Sequence, residues 1–302
     1  MANIKVKQML DAGVHFGHLT RKWNPAMAPY IFMERNGIHI IDLYKTHAKL
    51  EKAGEAMAKI AASGRKIMYV ATKKQAKEIV AKNAEAVNMP YITERWPGGM
   101  LTNFVTIRKA VKKMQGIDKM KEDGTFMTLS KKERLQVDRQ RAKLEKQLGS
   151  ISDMTRLPGA LFIVDINKEH IAVAEAQKLG IPTFAVVDTN SDPNEVDYAI
   201  PANDDATRSI EFIVSEVTES IKSGLNERKA EKAKSSDEKL KKIAAKKADL
   251  SEAPAPKKAE KAAKEEAPKA EKAVKAPKAE AAPKEEASAE TPEVKEEAKT
   301  EE

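Results

Sequence analysis

The chain is expected to fold as an α/β protein, with a parallel sheet sandwiched between helices. Two observations lead there. Short runs at 67–71 (Ile-Met-Tyr-Val-Ala), 160–166 (Ala-Leu-Phe-Ile-Val-Asp-Ile) and 183–187 (Thr-Phe-Ala-Val-Val) are apolar at nearly every position, as suits strands buried on both faces. Amphipathic stretches at 43–62, 74–87, 169–179 and 205–223 fall between and around them. Strand and helix alternating in this way close into a parallel sheet with helical crossovers.

Taken in chain order, apolar pieces at 30–33 and 38–41 flank Arg35-Asn36-Gly37, and Asn-Gly is the strongest local hairpin signal. Gly64 follows the helix at 43–62, and Gly180 with Pro182 follows that at 169–179, where C-terminal caps belong. A further short strand is expected at 198–200.

Residues 104–148 break the rhythm. Phe104, Ile107, Val111 and Met114 recur at three and four residues, as do Val137, Arg141, Leu144 and Leu148. That is a narrow seam of coiled-coil type with solvated surface on the other sides. Lys121-Glu122-Asp123-Gly124 supplies a turn, and Ser130 with Glu133 has capping-box spacing. The segment reads as a helical hairpin inserted in, and protruding from, a body spanning 1–225. Two further body helices are the alternative reading of the same pattern, since a long insertion between strands is unusual.

From Ser251 onward only Ala, Glu, Lys, Pro, Ser, Thr and Val occur, so there is too little apolar surface to repay ordering. Residues 226–302 are expected to form a disordered tail, whose Lys/Ala/Glu-rich first part, to Leu250, can extend the preceding helix for a few turns. Cysteine is absent, which removes disulfides, thiolate zinc sites and thiol nucleophiles. No apolar run approaches the roughly 18 residues of a membrane span, and residues 1–10 lack a leader's apolar core. A cytoplasmic protein without a membrane partner is expected.

Charge is sorted along the chain. Residues 1–150 carry 29 Lys/Arg against 14 Asp/Glu, and residues 151–225 carry 5 against 13. A folded region with that excess of cations concentrates polyanions, and nucleic acid is the first candidate.

Few motifs offer chemistry. His15 and His18 sit in Gly-Val-His-Phe-Gly-His with no carboxylate or third imidazole nearby in sequence, so structural or RNA-contacting histidines are expected and no metal. Asp165, Asp188 and Asp205 fall near strand ends, where open α/β sheets place their ligand crevice. They can hold a Mg²⁺ or a sugar there, or cap turns, as Asp188-Thr189-Asn190-Ser191-Asp192-Pro193 suggests. The turn after the first parallel strand, Val70-Ala71-Thr72-Lys73-Lys74, has no glycine to cradle phosphate, and no Gly-x-Ser-x-Gly elbow occurs. No cofactor and no small-molecule substrate are expected.

Nucleic-acid contact has places to live. Arg21-Lys22-Trp23-Asn24-Pro25 and Glu94-Arg95-Trp96-Pro97-Gly98-Gly99 hold both tryptophans, each beside an arginine in a Pro-punctuated loop. A loop tryptophan either stacks on an unstacked base while its neighbouring cation meets phosphate, or pins its loop to the body. Arg21, Lys22, Lys73, Lys74, Arg95 and Arg108 are expected at phosphates, with Trp23, Asn24 and Trp96 shaping the contact loops. Lys112, Lys113, Lys131, Lys132, Arg134, Arg139 and Arg141 would extend the basic surface along the hairpin.

Several short segments together resemble one family. Gly13-Val14-His15-Phe16-Gly17-His18, Trp23-Asn24-Pro25, Ile38-His39-Ile40-Ile41-Asp42-Leu43, Gly98-Gly99-Met100-Leu101-Thr102-Asn103, Leu157-Pro158-Gly159-Ala160-Leu161, His170-Ile171-Ala172 and Asp188-Thr189-Asn190-Ser191-Asp192-Pro193 are similar, in order, to bacterial small-subunit ribosomal protein two. The resemblance covers about residues 4–222. It implies a flavodoxin-like body with a protruding helical hairpin, bound to small-subunit ribosomal RNA near the head–body junction on the solvent side. It also implies neighbouring small-subunit proteins as partners, ribosomal protein one among them where the organism has it. The family usually ends soon after the helix at 205–223, so nothing carries over to 226–302. The competing class is an enzyme using Asp165 and Asp188 at the crevice, which the fold alone permits. An enzyme needs a concave pocket with convergent polar groups; a scaffold needs a broad basic surface.

Overall fold

A computed structural model of the chain describes residues 2–251. Most of the expected tail, residues 252–302, lies outside the described residues.

The expected hairpin forms. β2 (Ile31–Arg35) and β3 (Ile38–Ile41) pair antiparallel, and β1 (Phe16–Leu19) adds to the other edge of β3. Asn36 and Gly37 both take positive φ, 54° and 73°, which a two-residue turn of the right twist requires. Preceding this sheet is a helix that the sequence pattern did not predict, α1 (Ala2–Asp11), whose Met9 is fully buried.

The main sheet has five parallel strands: β4 (Ile67–Val70), β5 (Tyr91–Ile92), β6 (Ala160–Val164), β7 (Thr183–Val187) and β8 (Tyr198–Pro201). Their order is β5-β4-β6-β7-β8, so the chain reverses direction across the sheet between β4 and β6. β5 is not predicted from sequence because two residues after Pro90 make no periodic signal. α2 (Leu43–Ala62), α3 (Lys77–Ala86), α6 (His170–Leu179) and α7 (Thr207–Ser251) complete the alternation. The expected helix at 74–87 starts three residues late, at Lys77, after a turn in which Thr72 bonds Glu169 and Lys73 enters the crevice described below.

Period-two alternation in the strands divides the core cleanly. Tyr69, Phe162, Val164, Phe184 and Val186 face one way, onto α1, α2, α3 and α7. Met68, Val70, Leu161, Ile163 and Ala185 face the other, onto α6 and the start of the inserted segment. Helices therefore cover both faces, as all-parallel sheets require. α7 contributes Ile210, Ile213, Val214, Val217 and Ile221, one stripe at helical spacing, and then runs on through the Lys/Ala/Glu-rich sequence to Ser251.

The inserted segment is a pair of contacting helices, α4 (Phe104–Glu122) and α5 (Lys131–Leu148). The seam residues Phe104, Ile107, Val111, Met114, Val137, Leu144 and Leu148 are buried or half-buried, and Ile117 is buried with them. Lys121 meets Asp138 at 2.7 Å and Arg141 meets Asp118 at 2.6 Å across the pair. Ser130 and Glu133 form the expected reciprocal cap.

Candidate nucleic-acid interface and the ion-paired crevice

The first arginine–tryptophan loop is held by its backbone and leaves its side chains out. Asn24 N–H donates to Thr189 O at 2.8 Å, and Asn24 Oδ1 accepts from Ala26 N–H at 2.9 Å, capping the short helix Pro25–Tyr30. Arg21 and Lys22 are exposed, and Trp23 keeps 38% of its surface open while its ring lies 5.1 Å from that of His39. Asn24 thus uses its side-chain oxygen as a cap for the fold, while its amide nitrogen makes no hydrogen bond among the described residues.

The second loop is different, and the expectation for Trp96 is corrected. Its ring is 5% exposed and packs with Met100, Leu101 and Val111, so it cannot stack on a base. Trp96 Nε1 donates to Glu175 Oε1 at 3.2 Å. Gly99 N–H donates to the same oxygen at 2.8 Å, while Leu101 and Thr102 N–H reach Oε2 at 2.8 and 3.0 Å. Burial alone would raise the Glu175 carboxyl, but these donors outweigh it and hold the group below its ordinary range. The sequence carried a signal for this anchor: Glu175 is the lone acid in the apolar run Ile171-Ala172-Val173-Ala174-Glu175-Ala176. Beside the buried indole, Arg95 is exposed.

Lys73 is the second correction. It is not on an open surface; its Nζ lies 2.8 Å from Asp204 Oδ1, 2.6 Å from Asp205 Oδ1 and 3.5 Å from Asp165 Oδ2. Burial by itself would lower its pKa, but the carboxylates override that and raise it, so the ammonium charge is spent inside the protein. Lys74, one residue on, is exposed, as are Arg108, Lys112, Lys113, Lys131, Lys132 and Arg139. Arg141 is bound to Asp118 and Glu145, and Arg134 is half-buried against Met127.

The crevice is built from the C-terminal ends of four strands. Lys73 follows β4, Asp165 β6, Asp188 β7, and Asp204 with Asp205 follow β8. Asp165 adopts φ 70°, tolerable for aspartate, and its Oδ1 accepts from Lys168 N–H; in the segment 188–193 read as a capped turn, Ser191 N–H donates to Asp188 O at 3.1 Å and Asp192 Oδ1 accepts from Asn194 N–H at 2.9 Å. His18 arrives from the small sheet: Nδ1 lies 3.1 Å from Asp188 Oδ2 and Nε2 3.3 Å from Asp205 Oδ2. The hydrogen bond to Asp188 raises the His18 pKa, and burial opposes it. Asp204 is pushed up to about 7, by burial first and then by Asp188 and Asp165. His18 N–H also donates to Thr189 Oγ1 at 2.8 Å. Sequence separation hid this cluster, because its members come from both ends of the folded chain.

A cavity of about 780 Å³ lies elsewhere, at the N-terminal ends of β7 and β8, lined by Gln177, Thr183, Asn194, Asp197 and Tyr198 among others. Open α/β sheets bind their ligands at the opposite strand ends. There the polar groups are engaged with one another, Asp204 Oδ2 excepted. The class the fold defines is a doubly wound α/β protein with a largely self-paired crevice and exposed cations outside it.

Known proteins point the same way. The family profile described as Ribosomal protein S2 matches residues 9–224. The chain is 76% identical over 233 residues to "Small ribosomal subunit protein uS2" of Flavobacterium johnsoniae, covering 77% of this chain and 92% of that protein. It is 75% identical over 232 residues to the protein of the same name in Christiangramia forsetii (76% and 78% covered), and 68% identical over 232 residues to that of Parabacteroides distasonis (77% and 84%). The chain belongs to the ribosomal protein S2 family, whose members are structural proteins of the ribosome and not enzymes.

Proposed function

We propose that the chain is a structural constituent of the small ribosomal subunit that binds ribosomal RNA near the head–body junction, in the cytoplasm, beside neighbouring subunit proteins that include ribosomal protein one where it is present. The strand order supports a flavodoxin-like body, and the paired α4 and α5 serve as a projecting coiled-coil arm. One observation carries the RNA reading. Arg21, Lys22, Lys74, Arg95, Arg108, Lys112 and Lys113 are exposed and take part in no ion pair among the described residues. Cations kept free of carboxylate partners are what counterion release from phosphate needs. Trp23 offers a partly open ring next to two of them. Among the described residues no helix is long and apolar enough to cross a membrane. Cosedimentation of the tagged chain with small subunits through a high-salt gradient tests the assignment. Retention in the small-subunit peak is expected, and recovery only at the top of the gradient refutes it.

A further inference from the structure

At the end of the sheet opposite the crevice, where β4, β5 and β6 begin, a recess of about 310 Å³ lies between the turn Gly64-Arg65-Lys66, the turn Asn88-Met89-Pro90 and the loop 150–157. Its charge is one-sided. Arg65 and Arg156 line it and are exposed, and Arg108 on α4 reaches its rim, with Nη1 3.5 Å from Thr155 O. Asp153 is the single acid in the lining. Lys66 is spent on the fold, since its Nζ donates to the Asn88 carbonyl. Arg65, Arg108, Arg156 and Arg228 take part in no ion pair among the described residues.

Two glycines hold these arginines in place. A Cβ on Gly159 would meet Arg65 Cβ at 2.5 Å and Cδ at 2.9 Å, and a Cβ on Gly64 would meet the Arg228 guanidinium. The stem of Arg65 therefore lies against the backbone leading into β6, where Gly159 N–H donates to Lys66 O at 2.7 Å. Arg228, on α7 beyond the last core residue Ile221, lies against the turn that carries Arg65. Side chains fixed in this way give up little freedom on binding, and a guanidinium presents two parallel N–H donors to a phosphate. We propose that Arg65, Arg156 and Arg228, with Arg108 beside them, form a cradle for backbone phosphates of RNA, separate from the Trp23 loop. No aromatic ring lines the recess, so a base has nothing to stack on and the contact is independent of sequence. The Trp23 loop and the cradle sit at opposite ends of the parallel strands, so the body grips RNA along two edges. The cradle rests on the RNA reading given above and adds a second site to it.

The test uses the full-length chain and whole small-subunit ribosomal RNA, with affinity measured across a salt series. Changing Arg65→Ala and Arg156→Ala together should weaken binding at low salt and flatten the plot of log affinity against log salt by about 0.7–0.9 for each phosphate released. Arg65→Lys with Arg156→Lys keeps the charge and should restore the slope, while affinity stays below wild type because an ammonium cannot make the paired bonds. The loss should add to that of Arg21→Ala, since the two sites share no residue. Thermal unfolding verifies that each variant is folded; if the alanine pair is not, Arg156→Glu, on an exposed loop, replaces it and should flatten the slope as well. A wild-type slope in whichever of these folds, beside a flattened one in Arg21→Ala, overturns the cradle and leaves the RNA reading standing. Wild-type chain that does not bind the RNA at all overturns both. A saturable rise in Tm with inorganic phosphate that the alanine pair loses, while its RNA affinity is unchanged, makes the ligand a free anion and also overturns the proposal.

Discussion

The Trp96 indole and the Glu175 carboxylate, 3.2 Å apart, tie the loop before α4 to the face of α6. Four backbone and side-chain donors besides the indole point at the same carboxylate. Glu175→Gln presents an NH₂ to donors that need an acceptor, so it should cost about 1–3 kcal/mol. The pH dependence has a definite sign. The folded-state pKa lies below the unfolded one, so this stabilisation is complete above the ordinary glutamate value of 4.5 and is lost as pH falls through the lower folded value. Denaturant melts of wild type and Glu175→Gln should therefore differ at neutral pH and converge in acid. Trp96→Ala should cost about 3–5 kcal/mol, as loss of a buried aromatic does.

A second prediction concerns the approach of the small sheet to the crevice. A Cβ on Gly17 would meet Thr189 Cγ2 at 2.6 Å and the His39 carbonyl oxygen at 3.0 Å. Gly17→Ala should lower stability by about 1–3 kcal/mol through overpacking. Adding Thr189→Ser removes the nearest methyl and should recover part of that loss. Additive effects in the double-mutant cycle would show that the two residues do not touch.

What could be seen in the sequence follows from how far each signal reaches. Strands such as 183–187 and the helix at 43–62 are where periodicity put them, because local pattern and tertiary burial agree. The Asn36-Gly37 turn and the Ser130 cap are legible for the same reason, each being chemistry within four residues. The sites are less so. Arg95 and Trp96 are adjacent, yet one is exposed and the other buried, and only Glu175, 79 residues from Trp96, decides which. Lys73 and Lys74 divide likewise, because Asp204 and Asp205 take only the first.

Lys73 gives the third prediction. Its side chain is 12% exposed and neutralises carboxylates that have little else to pair with. Lys73→Ala should destabilise the body by about 3–5 kcal/mol, the usual result of removing one partner from a buried ion pair. Below its unfolding temperature the variant should keep the wild-type salt dependence of RNA binding. A flatter dependence, with stability unchanged, would return Lys73 to the RNA surface.

The fourth prediction separates charge from stacking at the first loop. Arg21→Ala and Arg95→Ala should each weaken binding to small-subunit RNA and flatten the plot of log affinity against log salt. The slope should change by about 0.7–0.9 for each phosphate that is no longer neutralised. Trp23→Ala should act differently. With 38% of its surface open against 5% for Trp96, the ring buries less, so Trp23→Ala should destabilise the body less than Trp96→Ala does. If a base stacks on it, affinity should fall by about 1–3 kcal/mol with the salt slope unchanged, because stacking displaces no ions. A large drop in stability for Trp23→Ala would instead make packing against His39 its main role. Unchanged RNA binding in all three variants would place the interface elsewhere, with the exposed lysines of α4 and α5 the next to test.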